Sequence, residues 1–195
     1  MSRTPTREDA WKLIQKYVPS DALQRHALAV EAVMRHMARR LGQDEEMWGV
    51  IGLVHDLDYD QFPEEHCVKV VEILKGEDWP ESYIRAVISH GWGICSDMEP
   101  QSDLEKTLYA IDELTGLVTA SALVRPSRSI LDMTPKSVTK KWKDKSFAAG
   151  ANRQVIEKGA QMLGVELNAL IHETIEGMKP VAEAIGLKGV PTVVE

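Results

Sequence analysis

Apolar residues recur at three- and four-residue steps along most of this chain, and no stretch sustains the every-second-residue alternation of a half-buried strand. That periodicity restricts the fold to packed helices, because only a 3.6-residue repeat gathers such positions on one face. The clearest run is Leu23, Val30, Val33, Met34, Met37 and Leu41, which Ser20 or Asp21 can cap and Gly42 can stop. Thr6 and Asp9 read as a capping-box variant opening an earlier helix with Trp11, Ile14 and Val18 on one side. Asp44 can cap a third helix running through Trp48, Ile51 and Val54 to His55; Gly49 and Gly52 cost it helix propensity, which implies close packing there. Pro63 and Pro80 are placed as first residues of two further helices, ending near Gly76 and near His90-Gly91. Ser102 caps a sixth helix that carries Leu104, Leu108, Ile111, Leu114 and Val118. Arg125-Pro126-Ser127 breaks the pattern, two helical stretches follow at roughly 153–163 and 166–178, and 188–195 reads as a loose tail.

Short connections between these segments predict one all-α domain, a compact helical bundle over 1–195 with a core at about 20–125 and a C-terminal helical extension at about 126–187. A chain of 195 residues can bury a substantial core without disulfides or structural zinc. The two cysteines, Cys67 and Cys95, form no CxxC pair, so neither a disulfide framework nor a zinc ribbon is expected, and reduced thiols in a cytoplasmic protein fit better. The first twenty residues lack the apolar stretch of a secretory signal, and no apolar run approaches the roughly 20 residues that span a bilayer. A formal net charge of -7 argues against broad nucleic-acid binding while leaving room for a local basic pocket. The sequence is compatible with a homo-oligomer.

His55-Asp56, at the end of an apolar helix, is the sharpest chemical signal. Imidazole nitrogen and carboxylate oxygen both ligate divalent transition metals. Neighbours within a helix diverge by about 100°, but at a helix end the backbone can bend and bring both onto one ion. The dipeptide alone is weak; its surroundings add weight. His26 shares a face with Val30, Val33 and Met37, and Asp112 shares one with Leu104, Leu108 and Thr115. A lone inward histidine is more often a hydrogen-bonded core residue, but an inward carboxylate is costly unless compensated. One cation among the four accounts for all of them together. His66, aligned with Val70 and Ile73, and His90, aligned with Val87 and Tyr83, also face inward on this reading, whereas His36 and His172, among charged neighbours, read as solvated.

The order His26, His55-Asp56, Asp112 on successive helices, with the stretches GLVHDLDYD and YAIDELTGLV, resembles the HD superfamily of metal-dependent phosphohydrolases over about residues 20 to 125. The resemblance implies a metal between the second, third and sixth helices, held by His26, His55, Asp56 and Asp112. In dinuclear branches Asp56 would bridge to a second ion, for which His66 and His90 stand at the right places in chain order. Dinuclear hydrolases of the family often carry two consecutive histidines where this chain reads His90-Gly91, and the GYP signature of cyclic-di-GMP phosphodiesterases is absent. The cofactor implied is a divalent ion, iron or manganese foremost, at one site with a second available. The activity implied is hydrolysis of a phosphoester or nucleotide by metal-activated water, with Asp56 in the catalytic centre and Asp58 or Glu113 as orienter or proton acceptor. The same ligand inventory suits an HD-type diiron oxygenase, and a metal- or nucleotide-binding module with little turnover is a third reading.

The substrate expected is small, anionic and phosphorylated. Lys and Arg are dense between 136 and 153, where a solvated surface is the bland reading and a phosphate-binding rim the functional one; Arg125, Arg128, Lys145 and Arg153 are its candidates. Tyr59, Trp79 and Trp92 flank the motifs and could stack on a ring, although aromatics are more often core.

Overall fold

The computed structural model describes residues 4–190. Among them the regular structure is nine α-helices and two 3-10 turns, with no strand beyond an isolated bridge between Trp92 and Ser96, so the chain is an all-α bundle as the periodicity predicts. The capping signals sit where the sequence places them. Thr6 accepts from Asp9 N in a capping box that opens α1 (Arg7–Tyr17). Ser20 caps α2 (Asp21–Leu41), and Gly42, at φ 65°, ends it. Asp44 caps α3 (Glu45–Val54), and Ser102 with Glu105 forms a second capping box on α6 (Asp103–Leu123). Pro80 is the N-cap rather than the first turn of α5 (Glu81–Ser89).

α2 packs against α3 and α6, and the close approach of α3 needs its two glycines. A Cβ on Gly49 would fall within 3.0 Å of the Arg35 side chain, and one on Gly52 would lie 2.8 Å from Met34 Cγ. α8 (Arg153–Leu163) lies on α6 by the same device, since a Cβ on Gly159 would strike Ala110. α9 (Leu167–Met178) covers the other side of α2, and short α7 (Pro135–Thr139) connects α6 to this pair. The fully buried Leu108, Ile111, Leu114 and Leu117 of α6 each contribute about 1.5–3 kcal/mol. Together they fix the helix rotation that turns Asp112 inward. No helix among the described residues is long and apolar enough to cross a membrane.

Three expectations need correction. The helix expected from Pro63 to Gly76 is two pieces, a 3-10 turn at Pro63–Glu65 and α4 (Lys69–Gly76), with Cys67 between them at φ 68°. The break follows from Asp58, which is fully buried and takes the Val70 N–H at 2.8 Å, so that α4 starts on a side chain eleven residues upstream of its first residue rather than on Pro63. His36 is not solvated: its Nε2 meets Glu173 Oε2 at 2.7 Å and staples α2 to α9, whereas His172 is exposed. Residues 187–190 are tied down, because Ile130 N and Val190 N donate to Leu187 O and Ser127 O. Residues 191–195 of the expected loose tail lie outside the described residues.

Candidate metal centre

α2, α6 and the segments that follow α3, the 3-10 turn and α5 each deliver one side chain or more to a single cavity of about 460 Å³. His55 is the C-cap of α3 and His90 that of α5. Beyond Val54 the backbone tightens into three-residue bonds, Leu57 N to Val54 O and Tyr59 N to Asp56 O, and this lets His55 and Asp56 converge instead of diverging. His26 projects from α2 and Asp112 from α6. His66 arrives from the break before α4, not from the inward face of a helix.

All four rings use Nδ1 on an acceptor outside the cavity. His55 donates to Gly52 O at 2.8 Å, His90 to Val87 O at 2.5 Å, and His66 to Asp58 Oδ1 at 2.7 Å. Thr115 Oγ1 donates to Asp112 O at 2.7 Å and so can accept from His26 Nδ1 at 3.3 Å. These bonds fix the tautomer that leaves each Nε2 lone pair free, the arrangement of metal-ligating histidines. Asp58 thereby orients His66.

The Nε2 atoms face carboxylate oxygens in two groups. His26 and His55 lie 3.6 and 3.3 Å from Asp56 Oδ2 and 3.0 and 3.2 Å from Asp112 Oδ1. His66 and His90 lie 3.6 and 3.3 Å from the other Asp56 oxygen, Oδ1, and 3.2 Å from each other. Lone pairs opposed to carboxylate oxygens at such distances repel unless a proton or a cation lies between them. Ligands about 2.1 Å from one ion, at tetrahedral or octahedral angles, are about 3.0–3.4 Å apart, which is close to the spacing in both groups. The residues present therefore could hold one ion at His26, His55, Asp56 and Asp112, whose donor atoms all fall within 4.8 Å of one another, and a second at His66 and His90 across Asp56.

Titration behaviour agrees. Burial disfavours the charge on His55, yet Asp56 and Asp112 raise its pKa well above the ordinary imidazole value. Burial likewise opposes ionisation of the two aspartates, and the charge of His55 outweighs it, holding both below the usual carboxylate range. His66 is pushed up to about 10, burial being overcome first by the bond to Asp58. Glu113 lines the cavity, accepts from Asn152 N at 3.1 Å and has its pKa raised by burial and by Asp112.

The basic candidates fall elsewhere, and among the described residues no Lys or Arg lines the cavity. Arg125 pairs with Asp132 at 3.0 Å and donates to Ser137 Oγ and Asp132 O. Arg153 gives its guanidinium to five carbonyls, those of Trp142, Asp144, Phe147, Ala148 and Ala151, and so holds the 142–151 segment in shape. Arg128 and Lys145 are exposed. The segment does reach the site, but through Ala148, Gly150 and Ala151. Of the aromatics, Tyr59 lines the cavity edge-on to His66; Trp79 is buried against Tyr83, and Trp92 packs on Tyr109 under the Lys158 ammonium. Thr115 and the thiol of Cys95, which also lines the cavity, carried too little signal alone; Thr115 is three residues past Asp112 on the inward face.

No solved structure matches the chain. Residues 23–117 match the HD domain model, a span that contains all six histidine and aspartate donors. An inward ligand cluster in this chain order, on an all-α scaffold, and that match together place residues 23–117 in the HD-domain superfamily.

Proposed function

We propose that the chain is a metal-dependent phosphohydrolase acting on a small anionic phosphoester or nucleotide. The observation that carries this is the carboxylate of Asp56, whose two oxygens each face a separate pair of imidazoles. His26, His55, Asp56 and Asp112 would hold one divalent ion, with iron or manganese the leading candidates, and His66 and His90 a second that shares Asp56. Such ions supply Lewis acidity, which offsets phosphoryl charge and acidifies water. The protein's part is to fix four rings through their Nδ1 bonds, so that no reorganisation is needed when charge develops. Glu113, whose pKa is raised by burial and by Asp112 at the cavity wall, would take up and return a proton there. Tyr59 and Ile94 border the cavity and give a leaving group an apolar edge.

One observation favours a second reading, dioxygen chemistry at a diiron pair: among the described residues no Lys or Arg lines the cavity to complement a phosphate. Elemental analysis of natively purified protein followed by an anaerobic phosphoester panel separates the readings. Turnover without dioxygen supports the hydrolase. Turnover only with dioxygen consumption sinks it, and ligand binding without either identifies a binding module.

A further inference from the structure

The two ends of Asp56 differ in chemistry. Around Oδ2 the donors are two imidazoles and the Asp112 carboxylate; around Oδ1, beyond the two imidazoles, the nearby donors are thiols. One ligand atom from each of His66, Cys67 and His90 lies within 4.8 Å of the others. Cys67 is only 4% exposed and is held at φ 68°, a conformation that non-glycine residues adopt at a cost. Cys95 comes in from the loop after α5 and lines the cavity. A Cβ on Gly91 would fall within 3.0 Å of both Sγ atoms. Glycine beside His90 is thus what makes room for the two sulfurs.

We propose that the second ion is held by His66, His90, the Oδ1 oxygen of Asp56 and the sulfur of Cys67, so that the centre pairs an all-nitrogen-and-oxygen site with a thiolate-bearing one. Softer donors select zinc, ferrous iron or cobalt over magnesium and calcium. The centre therefore loads unlike ions, or one ion in two environments. This rests on the dinuclear reading above and adds the chemistry of its second half. The Cys67 thiol would release its proton to solvent when the ion binds, giving a sulfur–metal bond with no change in oxidation state.

Cobalt(II) titrated into metal-free protein under reducing, anaerobic conditions is the test. Wild type is expected to bind two equivalents, and one of them brings a near-ultraviolet sulfur-to-cobalt charge-transfer band. Cys67→Ser is expected to lose that band, Cys95→Ser to keep it, and His66→Ala to lose it together with one of the two ions. Circular dichroism and the visible cobalt bands of the first site show that Cys67→Ser is folded, and Cys67→Ala repeats the measurement if it is not. A wild type that binds two cobalt ions with no such band, or only one ion, overturns the proposal, as does a Cys67→Ser variant that retains the band. Hydrolysis is scored separately: a missing band with intact turnover sinks only the thiolate site, and a band without turnover sinks only the hydrolase reading.

Discussion

The HD core and the C-terminal third use charge in opposite ways. In the core, four histidines and two aspartates turn their donor atoms toward one another, with every Nδ1 bonded outside the cluster and every Nε2 facing a carboxylate oxygen. In the C-terminal third, the guanidinium of Arg153 is occupied by main-chain carbonyls and that of Arg125 by Asp132 and Ser137. The first arrangement gathers donors that a cation could join; in the second the positive charges already lie against oxygens. A dense run of basic residues is therefore a poorer guide to a site than a few titratable groups with unmatched lone pairs.

The largest effect expected is on Asp56. Because its two oxygens serve both groups, Asp56→Ala should empty both positions by elemental analysis after metal loading, while His66→Ala should empty one. A folded Asp56→Ala protein with full metal content would break the contrast at its root. Next is Asp58, which touches neither oxygen of Asp56 but fixes His66. Asp58→Ala should weaken the second ion by about 10–100-fold in calorimetric titration and leave the first unchanged. Equal weakening of both ions would mean that Asp58 acts on the whole fold.

Arg153→Met sharpens the other side of the comparison. Losing a guanidinium shared by five carbonyls should lower stability by about 2–3 kcal/mol in denaturant unfolding, with metal content unchanged. A phosphate ligand would instead lose kcat/KM at constant stability. A pH series addresses the core alone. With His66 raised to about 10, its bond to Asp58 stabilises the metal-free protein fully below the unfolded imidazole value of 6.5, and that contribution is lost as pH rises through about 10. A cation must displace those protons, so the gain in Tm on metal loading should grow between those limits; a gain independent of pH would deny the competition. The smallest effects belong to Arg128→Ala and Lys145→Ala, both exposed, which should each change stability by less than about 0.5 kcal/mol and leave kcat/KM near unity relative to wild type. A tenfold loss of kcat/KM in either would restore a basic rim over the cavity.

Much of this was legible before any tertiary structure. Thr6, Ser20, Asp44 and Ser102 cap where their residue types say they should, because an N-cap needs only the next three residues. Gly49 and Gly52 announced a close helix contact without naming Arg35 and Met34 as its other side. The inward faces of α2 and α6 carried His26 and Asp112 because burial of their apolar neighbours sets the helix rotation. Helix 3.6-periodicity is local, and so these features survive in the bare string of residues.

Tertiary structure alone decided the rest. The chain breaks at His66–Val68 because Asp58 reaches Val70 N across twelve positions, a contact that no periodicity encodes. The division of Asp56 between two imidazole pairs, the seat of two thiols beside Gly91, and the diversion of Arg153 onto carbonyls all join segments far apart in sequence or across a tight loop. By itself the sequence determined which faces of the long helices turn inward. Which of them meet was left to the packing of every helix at once, since the position of a donor atom to within a bond length depends on elements that local hydrogen bonding does not connect.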